Sequence, residues 1–172
     1  MRRADRTDQG IMSDARFEDG AERPLRLQAM DSDDLKVISA LVQDSVFPAT
    51  EMTFDHKRRR FALLINRFRW EDRARARDGG DYERVQSLLV INDVMGAATS
   101  GFDRADADLI LSLLALDFHP GADGTGHLSL ILAGDGEIRL EVECLDVALS
   151  DVTRPYRAPS RKAPEHPLDK DI

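Results

Sequence analysis

Three stretches in the second half of the chain decide its fold: LILSLLALDF at 109–118, LSLILA at 128–133 and IRLEVECLDV at 138–147. In the last stretch, apolar and charged residues alternate from Ile138 to Glu143. That period of two is typical of a strand with one buried face. The short link Gly134-Asp135-Gly136 favours a tight hairpin, because glycine reaches positive φ at little cost. These stretches therefore predict consecutive antiparallel strands.

The alternation also makes a prediction for the single cysteine of the chain. Cys144 continues the apolar series of Leu140 and Val142, so the pattern predicts a thiol that is buried in the core. Its neighbours Glu143 and Asp146 are acidic, which disfavours a reactive thiolate.

The first half of the chain adds one helix and further strands. Residues 25–30 alternate like a strand, and Asp31 then stands as the N-cap of a helix over 32–45 with apolar residues at helical spacing. Strands are also predicted at 51–55, 60–70 and 82–91. The sequence thus predicts an α+β fold, a curved antiparallel sheet or partial barrel of about seven strands with one N-terminal helix. In the strand at 60–70, the run Phe61–Ile65 is apolar at every position, which favours cover on both faces.

The domain boundaries follow from polarity and proline. Residues 1–24 are polar without periodicity and are predicted to be a disordered tail. Residues 154–172 hold four of the seven prolines and are predicted to be a flexible tail. A single α+β domain over 25–153 remains. The N-terminal segment has no apolar run of a signal peptide or membrane span, so we expect a cytoplasmic protein without membrane contact.

Charge argues against general nucleic-acid binding but leaves one local patch. The net charge is −8, yet residues 57–77 carry nine Lys or Arg against two acidic residues, so the rest of the chain carries −15. An acidic majority repels nucleic acid and anionic membranes. Within the basic stretch, Arg67, Arg69 and Trp70 form a candidate patch for a phosphate or a base. The structural alternative is that these arginines flank a buried strand and pair with acidic residues.

A second candidate is a metal site built from Asp117, His119 and His127, on strands predicted to be consecutive. Two imidazoles and a carboxylate suit an open catalytic zinc or iron site. The alternative is that both histidines are exposed turn residues, since His119 precedes Pro120 and Gly121. No serine stands in a nucleophile-elbow context and no glycine motif joins a strand to a helix, so no cofactor is expected.

Several separated segments resemble a bacterial family known as domain of unknown function 2948. They are LRLQAMDSDDLKVISALVQDSV at 25–46, RRRFALLINRFRWE at 58–71, ERVQSLLVIN at 83–92, LSLLALDF at 111–118, IRLEVECLDVALSDV at 138–152 and PEHP at 164–167. The resemblance spans about residues 25–167 and implies no reaction, cofactor or catalytic residue.

The function expected from the sequence is that of a non-enzymatic cytoplasmic domain that binds another protein or acts as an adaptor. Its first alternative is a small metal-dependent enzyme using Asp117, His119 and His127. Its second alternative is a weak nucleic-acid or phosphate binder. A protein partner is expected, and the sequence leaves the oligomeric state open.

Overall fold

The computed structural model describes residues 23–72 and 83–157 of the chain. Most of the two predicted tails and the predicted loop at 78–81 lie outside these residues. In chain order, the elements are β1 (Arg26–Ala29), α1 (Ser32–Val42), β2 (Ser45–Pro48), β3 (Met52–Asp55), β4 (Arg60–Phe68), β5 (Glu83–Ile91), β6 (Val94–Ser100), β7 (Ile110–Pro120), β8 (Gly126–Leu132), β9 (Glu137–Val142), β10 (Val147–Asp151) and β11 (Tyr156–Arg157).

All strands belong to one antiparallel sheet, in the order β1-β10-β5-β4-β2-β7-β8-β9-β6, with β3 on β4 and β11 on β5. The α+β class, the antiparallel pairing and the single α-helix are confirmed within the described residues. The sheet is not closed into a barrel, and it has 11 strands where about seven were predicted.

Local breaks in the backbone account for two of the four additional strands, β6 and β10; β2 and β11 lie outside the predicted strands. Asp93 takes a φ of 55°, a left-handed conformation that ends β5 and lets residues 94–100 form β6 as a strand of their own. Likewise, the stretch predicted as one strand at 138–147 divides into β9 and β10. The break between β9 and β10 spans residues 143–146, and the apolar pattern of 138–147 continues across it without a visible interruption.

Helix α1 begins where its sequence predicts. The side chain of Asp31 accepts a hydrogen bond from the backbone N–H of Asp34 at 2.8 Å, which caps the N-terminus. Leu35, Ile38 and Val42 face the core, as the helical spacing requires. The helix ends three residues before the predicted end. None of the helices in the described residues is long and apolar enough to span a membrane.

The main hydrophobic cluster lies on the face of the sheet that packs against α1. On β4, Phe61, Leu63 and Ile65 are buried together with the apolar face of α1. The residues between them, Ala62 and Leu64, point to the other face and are partly exposed. Cover of this strand is therefore complete on the face of Leu63, where α1 packs, and partial on the other face, where Ala62 and Leu64 are partly exposed.

The structure also differs from the predicted burial of Cys144 and from the predicted start of the C-terminal tail. Cys144 is exposed, because β9 ends at Val142 and the alternation no longer applies beyond it. Its Sγ donates a hydrogen bond to the Asp93 carboxylate at 3.2 Å. Tyr156 and Arg157 form β11 on the end of β5, so the predicted flexible tail from 154 begins with residues that pair in the sheet.

A candidate binding groove between two sheet edges

A groove of about 750 Å³ lies between strands β3 and β6. The curl of the sheet brings these two strands opposite each other, although they are far apart in the strand order. The residues that line it are Ala49, Thr50, Met52, Phe54, His56, Phe61, Gly96, Ala97, Thr99, Arg104 and Ala105. A volume of this size is in the range of known ligand sites.

One end of the groove is closed by contacts around Arg59, in the turn between β3 and β4. The backbone N–H of Val94 donates to the carbonyl of Arg59 at 2.9 Å, which brings the start of β6 against this turn. The Arg59 guanidinium pairs with Glu143 and lies 3.7 Å from Asp93. The hydrogen bond and charge of Glu143 raise the pKa of Arg59, so its guanidinium stays protonated. Beyond this contact, residues of β3 and β6 line the groove without pairing with each other.

Both strands that flank the groove have an edge without a partner strand among the residues of the structure. β3 pairs only with β4, and β6 pairs only with β9. An edge strand presents backbone N–H and C=O groups that can pair with another chain. Proteins usually protect such edges with charged residues, proline or a very short strand. β6 has seven residues, VMGAATS, and none is charged or proline, but its pairing with β9 is irregular between Val94 and Gly96, so a bulge protects the start of this edge. The opposite end of the sheet, β1, has four residues and carries Arg26.

The lining combines an apolar floor with a few polar groups. Met52, Phe54 and Phe61 form the floor, and Phe61 is buried. Thr50, Thr99, His56 and Arg104 are the lining residues with polar side chains. None of the lining residues is acidic, although the chain has 32 Asp and Glu. The groove therefore differs in charge from the acidic average of the molecule.

Arg67, the first residue of the predicted phosphate patch, is wholly buried. Its guanidinium donates to Glu71 at 2.8 and 2.9 Å and to Asp151 at 2.9, 3.0 and 3.1 Å. It also donates to Ser87 Oγ and to the carbonyl of Phe68. Burial lowers its pKa, but the hydrogen bonds and charges of the two carboxylates outweigh burial and raise it. Arg67 is thus a buried ionic link between strands β4, β5 and β10, as the structural alternative predicts.

The other two residues of the patch also have partners within the fold. Arg69 is 9% exposed and donates to the Glu83 carboxylate at 2.5 Å. Trp70 donates its indole N–H to the carbonyl of Gln43 at 2.9 Å, and its ring lies 5.4 Å from that of Phe68. A phosphate would have to displace these carboxylates to reach the arginines. Nucleic-acid binding stays an untested alternative that this geometry does not favour.

The predicted metal residues do come together on the outer face of β7 and β8. His119 and His127 are direct cross-strand neighbours with stacked rings 4.5 Å apart. His119 Nε2 lies 3.1 Å from the Asp117 carboxylate, and Arg139 Nη2 lies 3.2 Å from His127 Nδ1. A guanidinium beside the imidazole nitrogen repels a cation. Within the described ranges, no group of three His, Cys, Asp or Glu side chains could hold a metal ion.

The groove itself was not predicted from the sequence. It depends on the curl of the sheet, which brings residues 49–56 opposite residues 96–105. One local signal was present: the uncharged run at residues 96–100, since exposed edges usually carry charged residues.

Fold and site together define a class: an α+β domain with a single curled antiparallel sheet that is not closed into a barrel and has a groove between β3 and β6. The comparison with protein families then identifies the group. The chain belongs to the family described as "Protein of unknown function (DUF2948)", whose model matches residues 25–166. This confirms the resemblance seen in the sequence. Searches of curated proteins and of solved structures found no match.

Proposed function

We propose that this domain is a non-enzymatic protein-binding module, and that an extended segment of a partner protein binds in the groove between β3 and β6. The observation that carries the proposal is the pair of strand edges that face each other across the groove. A peptide laid between them would form backbone hydrogen bonds with one or both strands. Addition of a strand to a sheet edge is a common mode of peptide recognition.

The side chains around the groove agree with this mode. The partly buried side chains of Met52 and Phe54 lie below the edges and can contact alternate side chains of the peptide. On the other wall, a Cβ added to Gly96 would meet nothing within 4 Å. The packing of the domain itself therefore does not require a glycine there. The β6–β9 register is irregular between Val94 and Gly96, and a glycine in a strand marks such a bulge as well as the close approach of another backbone.

We further propose that the protein acts in the bacterial cytoplasm. The support is limited to its single cysteine, which is exposed and free. An exposed free thiol suits a reducing compartment, because oxidising compartments favour disulfides.

The test uses random 12-residue peptides displayed on phage and selected against the full chain. Binders are then measured against two matched variants, Ala97→Trp and Ala98→Trp. Ala97 and Ala98 are adjacent and both exposed, but only Ala97 lines the groove. Alternation along a strand directs Ala98 to the other face. We expect Ala97→Trp to abolish binding and Ala98→Trp to leave it unchanged. Failure to select any peptide, or equal loss in both variants, would reject the proposed groove.

A further inference from the structure

The charge of the groove indicates the chemistry of its partner. We propose that the groove selects an extended peptide that carries a carboxylate, and that Arg104 binds this group. This inference rests on the proposed function and adds the class of partner to it.

The first argument is the exposure of the Arg104 side chain and its lack of an ion pair within the described chain. Its side chain lines the groove and is exposed. In contrast to Arg59, Arg67 and Arg69, it has no ion pair or hydrogen bond with another residue of the described chain. A guanidinium can donate two parallel hydrogen bonds to a carboxylate, which gives both affinity and orientation.

The second argument is that the aspartates next to Arg104 in its loop accept hydrogen bonds from the loop backbone. In the loop that holds Arg104, the Asp103 carboxylate accepts from the N–H of Ala105 at 2.8 Å, and that of Asp106 accepts from the N–H of Asp108 at 3.0 Å. Neither aspartate lines the groove. The loop aspartates therefore hold the backbone around Arg104 and form no ion pair with its guanidinium.

The third argument comes from the opposite wall. His56 lines the groove at the end of β3, and its ring lies 4.0 Å from that of Phe54. Close to it, Asp55 accepts from the N–H groups of Lys57 and Arg58 and lies 3.7 Å from the Arg58 guanidinium. Both walls thus present a nitrogen-bearing side chain, and the carboxylate beside the groove is already paired.

The same two strand edges favour a peptide over a small carboxylic acid. The unpaired backbone N–H and C=O groups along β6 can form hydrogen bonds with a peptide backbone, which a small carboxylic acid lacks. The net charge of −8 repels acidic segments from most of the surface. A groove without acidic lining is therefore the part of the surface where a local attraction to a carboxylate can act.

The experiment continues with the peptides selected on phage. Synthetic forms of the tightest binders are compared with analogues in which every Asp and Glu is replaced by Asn and Gln. They are measured against the full chain, Arg104→Gln and the control Arg26→Gln, an exposed arginine on β1 outside the groove. We expect amide replacement and Arg104→Gln each to weaken binding by about tenfold, the usual value of one charged hydrogen bond. Arg26→Gln should have no effect. Binding should also weaken as salt rises.

The outcomes separate the two proposals. Peptides that lose binding with Ala97→Trp but bind equally well as amides, or equally well to Arg104→Gln, would overturn the carboxylate inference and leave the groove function standing. Absence of groove-dependent binding would reject both. Much tighter peptide binding to a chain that ends at Arg157 would show that residues 158–172 compete for the groove. The assignment to a partner protein would then be wrong.

Discussion

Removal of the Asp151 carboxylate should destabilise the domain strongly. Asp151 is 7% exposed and faces the wholly buried guanidinium of Arg67. It also accepts from Ser87 Oγ at 2.6 Å and from the N–H of Leu25 at 3.1 Å. Asp151→Ala would leave a buried positive charge with Glu71 as its remaining carboxylate partner. Loss of one partner from a buried ion pair usually costs about 3–5 kcal/mol. Because Glu71 stays in place, we expect Asp151→Ala to lower the free energy of unfolding by about 3 kcal/mol, the low end of this range.

The free energy of unfolding is measured by urea denaturation of the full chain at pH 7, with Glu141→Ala as control. Glu141 pairs with Arg139 at 3.3 Å, but both side chains are about half exposed, so its loss should cost less than about 0.5 kcal/mol. The double variant Arg67→Met/Asp151→Ala should regain part of the stability lost by Asp151→Ala, because it leaves no buried guanidinium. A loss below about 1 kcal/mol for Asp151→Ala, or no recovery in the double variant, would refute the buried ionic link.

Three further predictions concern the thiol, the tails and the covered face of the sheet. Cys144 should react with a thiol reagent in the native protein but more slowly than a free thiol at the same pH, because the hydrogen bond to Asp93 raises its pKa. Labelling only after denaturation would contradict this. A chain limited to residues 23–157 should melt at nearly the same temperature as the full chain, since the removed segments lack apolar periodicity. A large drop in Tm would show that a tail docks on the domain. Leu63→Ala should cost about 2–5 kcal/mol of unfolding free energy and Leu64→Ala less than half of that, because Leu63 alone is buried. Equal losses would show cover on both faces.

The sequence predicted well what depends on local pattern. The β8–β9 hairpin lies where alternation and Gly134-Asp135-Gly136 placed it, and α1 begins at its predicted N-cap, Asp31. The helix end was less accurate: Asp44 takes a left-handed φ of 61°, after which β2 begins at Ser45. Aspartate adopts that conformation more readily than most residues, but nothing in the sequence marks which aspartate does so.

Features that depend on distant contacts could not be predicted. In the sequence, Arg67 is one residue of a basic stretch. Its partner Asp151 lies 84 positions away, so the buried ion pair forms only in the folded chain. The groove likewise depends on strands that meet through the curl of the sheet. The predicted burial of Cys144 was wrong for the opposite reason: a local alternation was extended two residues past the end of β9.

The central claim is that an extended peptide binds between β3 and β6, and amide NMR of the full chain tests it most directly. A ¹⁵N-labelled sample is titrated with the tightest selected peptide, and amide exchange is measured before and after. Shift changes and slowed exchange should concentrate on Met52–Asp55 and Val94–Ser100, because backbone pairing protects the N–H groups of both edges. Changes confined to α1 or to the outer face of β4 and β5, with both edges unaffected, would contradict the account.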